Sequence, residues 1–302
     1  MKTKSNYILK VALIVLFAAL AVGGVLFFMK SRVQPPKSLE YVNQYTENIE
    51  QETNHIAHAN EQSLEQDFQR VINRIDLLRS ENLINNDEYK TSLSDFINGY
   101  VPSFRDWCEQ QFNNNVWPKN TLAFMQKRLN EMRRHRSILT EDNKTKLNEV
   151  EKVLNDYDKA WKLKKIAITS SAESRTHLHE ANQFKQDPHL KNCTELMDML
   201  NRLPETYKNS HYRHVNSLVQ KLNIDNYSKY DVNLWGTRYN EAKSARRDYN
   251  NAAPSLYGVE TSDFNLDEYY WNAKNGFYDM ISVYDRQDIR DSYRDVFGTT
   301  IR

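Results

Sequence analysis

Apolar positions recur with a helical period through most of the chain. Leu64, Phe68, Val71, Ile75 and Leu78 are spaced by four, three, four and three residues, the seam of a coiled coil or of a long bundle helix. Val42, Tyr45, Ile49 and Ile56 extend a weaker stripe upstream, interrupted by Glu52. One helix is therefore expected from about Leu39 to Arg79, roughly 60 Å long. Asn85-x-x-Glu88 has the form of a capping box and opens a second helix. Tyr89, Leu93, Phe96, Ile97, Tyr100, Phe104, Trp107, Cys108 and Phe112 line its apolar side, and Pro102 is expected to kink or divide it.

After the Asn113-Asn114-Asn115 loop, Pro118 suits the first turn of a third helix ending near Ser137. Thr140-Glu141-Asp142 caps a fourth helix, which buries Leu147, Val150, Leu154, Tyr157 and Trp161. Ser170-x-x-Glu173 is a second capping box. Pro188 and Pro204 introduce helices expected over His189–Asn201 and Glu205–Leu222. Ala252–Gly258 is expected to be a loop, and Asn265-x-x-Glu268 starts the last helical region.

One segment departs from this amphipathic pattern. Ile8–Met29 carries a single charge, Lys10. As a helix it is about 33 Å long, against about 30 Å of bilayer hydrocarbon. A transmembrane anchor over residues 8–29 is the default reading. A signal peptide cut after Ala19-Leu20-Ala21 is the alternative, and it would leave an apolar start for a soluble domain. Lys2 and Lys4 before the run, with Lys10 at its start, balance Lys30, Arg32 and Lys37 after it. The α-amine, and an acidic stretch from Ser38 to Gln69 without Lys or Arg, tip the orientation towards an exported C-terminal domain.

Composition restricts the fold further. The chain has 302 residues and only 7 Gly, 7 Pro and 2 Cys. No glycine lies between Tyr100 and Trp235, and neither Gly nor Pro between Lys119 and Asp187. Dinucleotide-binding sheets, phosphate loops and hairpin-rich barrels depend on glycine turns and are excluded on this ground. The formal net charge of +1 conceals two unlike parts. Residues 1–37 hold six Lys/Arg and no acid, leaving 35 basic against 40 acidic side chains in the rest, a net of −5.

The fold class that follows is all-α: an N-terminal transmembrane helix, a bundle of long antiparallel helices, and a shorter-helix, aromatic-rich half. The expected segments are 1–37 (basic tail, anchor and spacer), 38–169 (long-helix bundle or stalk) and 170–302 (Tyr/Trp-rich helical region).

Candidate chemistry is sparse. Glu52-x-x-His55 matches half of a di-iron helix signature without a second copy. His177-Leu178-His179-Glu180 lacks the second histidine of a zinc-protease helix. No metal or cofactor is expected, and no nucleophile elbow is present. Cys108 and Cys193 fall on apolar faces, as buried thiols or, in an exported domain, as one disulfide pair. The run Lys127, Arg128, Arg133, Arg134, His135 and Arg136 reads as the cationic end of a helix rather than a nucleic-acid patch. Asn143-Lys144-Thr145, Asn192-Cys193-Thr194 and Asn226-Tyr227-Ser228 match the glycosylation acceptor pattern.

Ten of the 18 tyrosines lie between Tyr227 and Tyr293, and Tyr, Trp and Arg are enriched at binding hot spots. Tyr269-Tyr270-Trp271 cannot all be buried on one helix face. With Trp235 they are the candidate interface. The expectation is a non-enzymatic, single-pass membrane protein of a bacterial inner membrane. Its periplasmic helical domain would bind a protein partner or a second copy of itself within an envelope assembly, as a scaffold or adaptor. No nucleic-acid partner is expected. The alternatives are a ligand-sensing ectodomain acting through another subunit and an envelope enzyme acting on glycans.

Overall fold

The computed structural model of the protein describes residues 61–283 and 286–301. The apolar run Ile8–Met29, the proline spacer, His55 and the first half of the expected stalk helix lie outside them. Among the described residues, no helix is long and apolar enough to cross a membrane. Helix makes up 79% of the interpretable chain and strand none of it, so its regular backbone hydrogen bonds close within helices rather than across a sheet.

Two compact units form. One combines Met1–Gln110, as far as it is described, with Lys119–Glu151, and the other combines Gln111–Pro118 with Lys152–Arg302. The division passes through two continuous helices, where no linker-like composition marks it.

The first unit is built from α1 (Glu61–Ser80), most of α2 (Asn86–Phe112), α3 (Lys119–Arg134) and the start of α4 (Glu141–Leu163). The seam read from α1 is buried at Leu64, Phe68, Val71 and Ile75. The Leu83 N–H bonds the Leu78 carbonyl and the Asn82 N–H that of Arg79, with Asn82 left-handed at φ 55°. This is a Schellman ending, and asparagine tolerates that conformation better than most residues. The capping box of α2 is reciprocal: Asn85 Oδ1 accepts from the Glu88 N–H at 2.9 Å, and Glu88 Oε2 accepts from the Asn85 N–H at 2.8 Å. Phe68, Phe96, Tyr100 and Phe104 form a continuous aromatic column, closest between Phe68 and Tyr100 at 4.8 Å.

Pro102 neither ends nor divides α2, which runs unbroken from Asn86 to Phe112. Proline has no N–H for the carbonyl four residues back, which belongs to Asn98. That carbonyl accepts instead from the Asn143 side chain at 2.8 Å. Asn143 Nδ2 also reaches Asn98 Oδ1 at 2.9 Å, and the same oxygen accepts from the Thr140 N–H. Asn98 Nδ2 donates to the Ile138 carbonyl at 2.9 Å. The proline and the start of α4 are thus coupled through two asparagines.

The basic run divides by helix face. Arg128 follows Phe124 and Met125 by one turn on the buried stripe of α3, and its side chain is fully buried. Its guanidinium sits 3.8 Å from the Phe68 ring centroid and 2.7 Å from Glu131. Arg133 pairs with Glu151.

In the second unit, α5 (Ser171–Gln186), α6 (Thr194–Asn201), α7 (Leu203–Gln220), α8 (Val232–Ala252), α9 (Leu266–Ile281) and α10 (Gln287–Phe297) follow the end of α4. The helix expected over His189–Asn201 is broken into a 3-10 turn, Leu190–Asn192, and α6, with Cys193 extended between them. Asp187 Oδ1 accepts from the N–H groups of His189 and Leu190, and the Thr194 N–H is committed to the Asn115 carbonyl. These bonds stop one helix from running through. The loop expected at Ala252–Gly258 is instead a π-helical turn, Ala253–Tyr257, continuing α8. Ala252, Ala253 and Tyr257 are buried there, and Gly258 ends the turn at φ 65°.

Candidate functional site

The aromatic half is organised around Trp235. Its position on α8 faces inward and its side chain is fully buried. Nε1 donates to the Leu222 carbonyl at 3.0 Å, which removes the cost of burying an indole N–H. Tyr239 stacks on it at 5.1 Å, and Phe297 and Phe277 lie at 5.3 and 6.3 Å. Trp235 is therefore a core residue and not part of the candidate interface. Its apolar neighbours Phe277 and Phe297 come from α9 and α10, far along the sequence.

Tyr269, Tyr270 and Trp271 separate as the angular spacing of successive helical residues requires. Tyr269 Oη donates to Gln220 at 3.2 Å. Tyr270 is half-buried between Tyr239 and Phe297 at 5.4 and 5.5 Å, with its hydroxyl directed at the Phe297 carbonyl. Trp271 is 55% exposed. Lys274 lies 5.1 Å from its ring, and Tyr278, two turns along, is also exposed. The outer side of α9 thus presents an indole and a phenol.

The densest group of chemically versatile side chains joins α5, α7 and α8. His211 is fully buried. Its Nδ1 is 3.1 Å from Tyr257 Oη and its Nε2 is 3.6 Å from Asp248. Asp248 accepts from both the Ser171 N–H at 2.7 Å and its hydroxyl at 2.6 Å. Burial lowers the His211 pKa below its ordinary value, with Asp248 opposing that shift. The order of contacts matters for chemistry. A serine triad needs the imidazole between the serine hydroxyl and the carboxylate. Here Asp248 lies between the Ser171 hydroxyl and His211, and the hydroxyl on the other side of the imidazole is the buried phenol of Tyr257. The Ser171 hydroxyl donates its hydrogen bond to Asp248 rather than to His211. The arrangement serves as a polar staple for three helices.

The remaining candidates occupy ordinary structural positions. His177 lies 3.5 Å from Glu180, and His179 contacts Gln183 at 3.3 Å. Among the described residues, no group of three or more His, Cys, Asp or Glu stands in a metal-holding arrangement. Cys108 and Cys193 are free, buried thiols, and burial raises both pKa values, Cys108 well above the usual range. Burial likewise pushes Tyr207 up to about 12, with its hydroxyl donating to the Leu163 carbonyl at 2.9 Å. Of the glycosylation acceptors, Asn143 is buried with its amide committed to Asn98, so the folded state leaves no room for a glycan there. Asn226 is exposed at the end of a 3-10 turn.

Arg128, Asn98 and Asn143 carry no sequence motif that announces these roles. Arg128 shares the helical phase of Phe124, Met125 and Leu129, a signal of burial that its charge obscures. No protein-family model, curated protein or solved structure matches the chain.

Proposed function

We propose that the protein is a non-enzymatic scaffold or adaptor. A single membrane helix over residues 8–29 anchors it, and its exported helical domain docks a protein partner in an envelope assembly. The observation that supports docking is Trp271, more than half exposed on α9 beside Lys274 and Tyr278. A tryptophan left at the surface retains most of the apolar area that binding hot spots use. The apolar run and the acidic, lysine-free stretch beyond the spacer support the anchor and its orientation. The Ser171 hydroxyl, hydrogen-bonded to Asp248 rather than to His211, is not placed as a serine nucleophile.

Site-specific photocrosslinking in cells tests this reading. A photoreactive residue at position 271 is expected to give a discrete protein adduct, and one at exposed Lys162 none. Adducts of equal yield at both positions, or none at 271, would refute docking through α9. Trp271→Ala should abolish partner co-purification while leaving the helical circular-dichroism signal intact.

A further inference from the structure

A surface on α8 carries a separate inference, independent of docking through α9. Lys243, Ser244, Arg247 and Asn251 follow Asn240 at the three- and four-residue steps that keep side chains on one side of a helix, with Arg246 beside them. Together with Asn250 they border an open depression of about 370 Å³. From Asn240 to Asn251 the strip is about 16 Å long. Among the described residues α8 alone walls it.

The charge on this strip is uncompensated. Lys243, Arg246 and Arg247 form no ion pair among the described residues, whereas Lys208, Arg286 and Arg294 of the same unit each hold a carboxylate within 2.9 Å. Asp248, the neighbouring acid on α8, is turned to Ser171 and His211. Lys243 stands three and four residues from Arg246 and Arg247, spacings at which like charges repel. The helix dipole does not account for them, because its influence fades within the last turn and these residues precede it. The helix therefore carries a local electrostatic cost that an anion would remove.

We propose that this strip binds a phosphate ester. Two guanidinium forks match phosphate oxygens in pairs, Lys243 adds a point charge, and the amide and hydroxyl groups of Asn240, Ser244 and Asn251 suit ester and hydroxyl oxygens. Three cations match a dianion better than the single charge of a carboxylate. The phosphate can belong to a soluble ester or to a lipid headgroup, and the two sources are experimentally separable.

The test uses the full chain in phosphatidylcholine nanodiscs, with amide hydrogen exchange across residues 240–251 as readout. One arm titrates glycerol 3-phosphate, and the other replaces part of the lipid with phosphatidylglycerol. The expected result is protection of α8 in at least one arm, weakened by raising salt. A Lys243→Gln/Arg246→Gln/Arg247→Gln variant should weaken the response about tenfold or more. A Lys144→Gln/Lys146→Gln variant, which removes lysines paired to Glu141 and Asp142, should respond as the parent does. Protection by the soluble ester assigns a diffusible ligand, and protection by phosphatidylglycerol alone assigns the headgroup. No protection in either arm, or equal weakening in the two variants, overturns the proposal. Retained helicity of the triple variant, read by circular dichroism, separates lost binding from lost fold.

Discussion

Replacing Asn143 with alanine removes the donor that occupies the carbonyl orphaned by Pro102. Two hydrogen bonds disappear, to Asn98 O at 2.8 Å and Asn98 Oδ1 at 2.9 Å. Each contributes about 1 kcal/mol net, and a stranded, partly buried acceptor costs about 1–2 kcal/mol more. The expected loss is therefore about 3–4 kcal/mol. Asn98 Oδ1 keeps the Thr140 N–H, so the stranded group is the backbone carbonyl alone. In a Pro102→Ala background the new N–H at position 102 can bond that carbonyl along the helix, and the stranded-acceptor cost vanishes. Asn143→Ala should then cost about 1–2 kcal/mol less than it does beside proline. Urea titrations of the four proteins in the cycle, followed by far-ultraviolet circular dichroism, measure this coupling. Equal costs in the two backgrounds, within about 0.5 kcal/mol, would refute the assignment of Asn143 as the surrogate donor for Pro102.

Trp235→Ala should destabilise the second unit by about 3–5 kcal/mol, while Trp271→Ala changes its urea midpoint little; similar losses at both sites would contradict their burial. Gly236→Ala would bring a methyl group to 2.7 Å from Val296 Cγ2, so it should lower stability and be partly rescued by Val296→Ala, a pattern that thermal melts of the single and double variants can read. Because burial lowers the folded-state pKa of His211 below the ordinary 6.5, the unfolded chain binds the proton more readily. Its stabilising effect is complete above that value and is lost as pH falls from 6.5 through the folded value. Urea midpoints measured from neutral to mildly acidic pH should therefore fall on the acid side, less steeply in His211→Asn. Cys108 and Cys193 should resist a thiol reagent in the native protein and both react after denaturation, whereas rapid native labelling would contradict their burial.

Individual residues show how far the pattern of side chains reaches. The stripes through Leu64–Ile75 and Leu93–Phe112 were legible because a helix converts three- and four-residue spacing into a single face. The cap at Asn85-x-x-Glu88 was legible because both partners lie within one turn. Ser170-x-x-Glu173 was partly so. Glu173 does accept hydrogen bonds at the helix start, but from Thr169, while its own N–H is capped by Ser170. The break at Cys193 was not legible, since it depends on Asn115. Trp235 and Trp271 both sit among the aromatic residues of the C-terminal half. Their opposite fates depend on Phe277 and Phe297, which surround one indole and not the other.

Local spacing by itself therefore determined that the described chain is helical, where most helices begin, and which side of each is apolar. Glycine scarcity pointed the same way, because chains built of long helices need few left-handed turns. The assignment of polar residues came from tertiary packing: Arg128 into an aromatic core, Asn143 onto a proline-orphaned carbonyl, Asp248 onto a serine, and Lys243, Arg246 and Arg247 without an acid. The physical reason is range. Helical hydrogen bonds join residues four apart, whereas the partner that satisfies or leaves unsatisfied a charge or an amide can come from any segment that folding brings near.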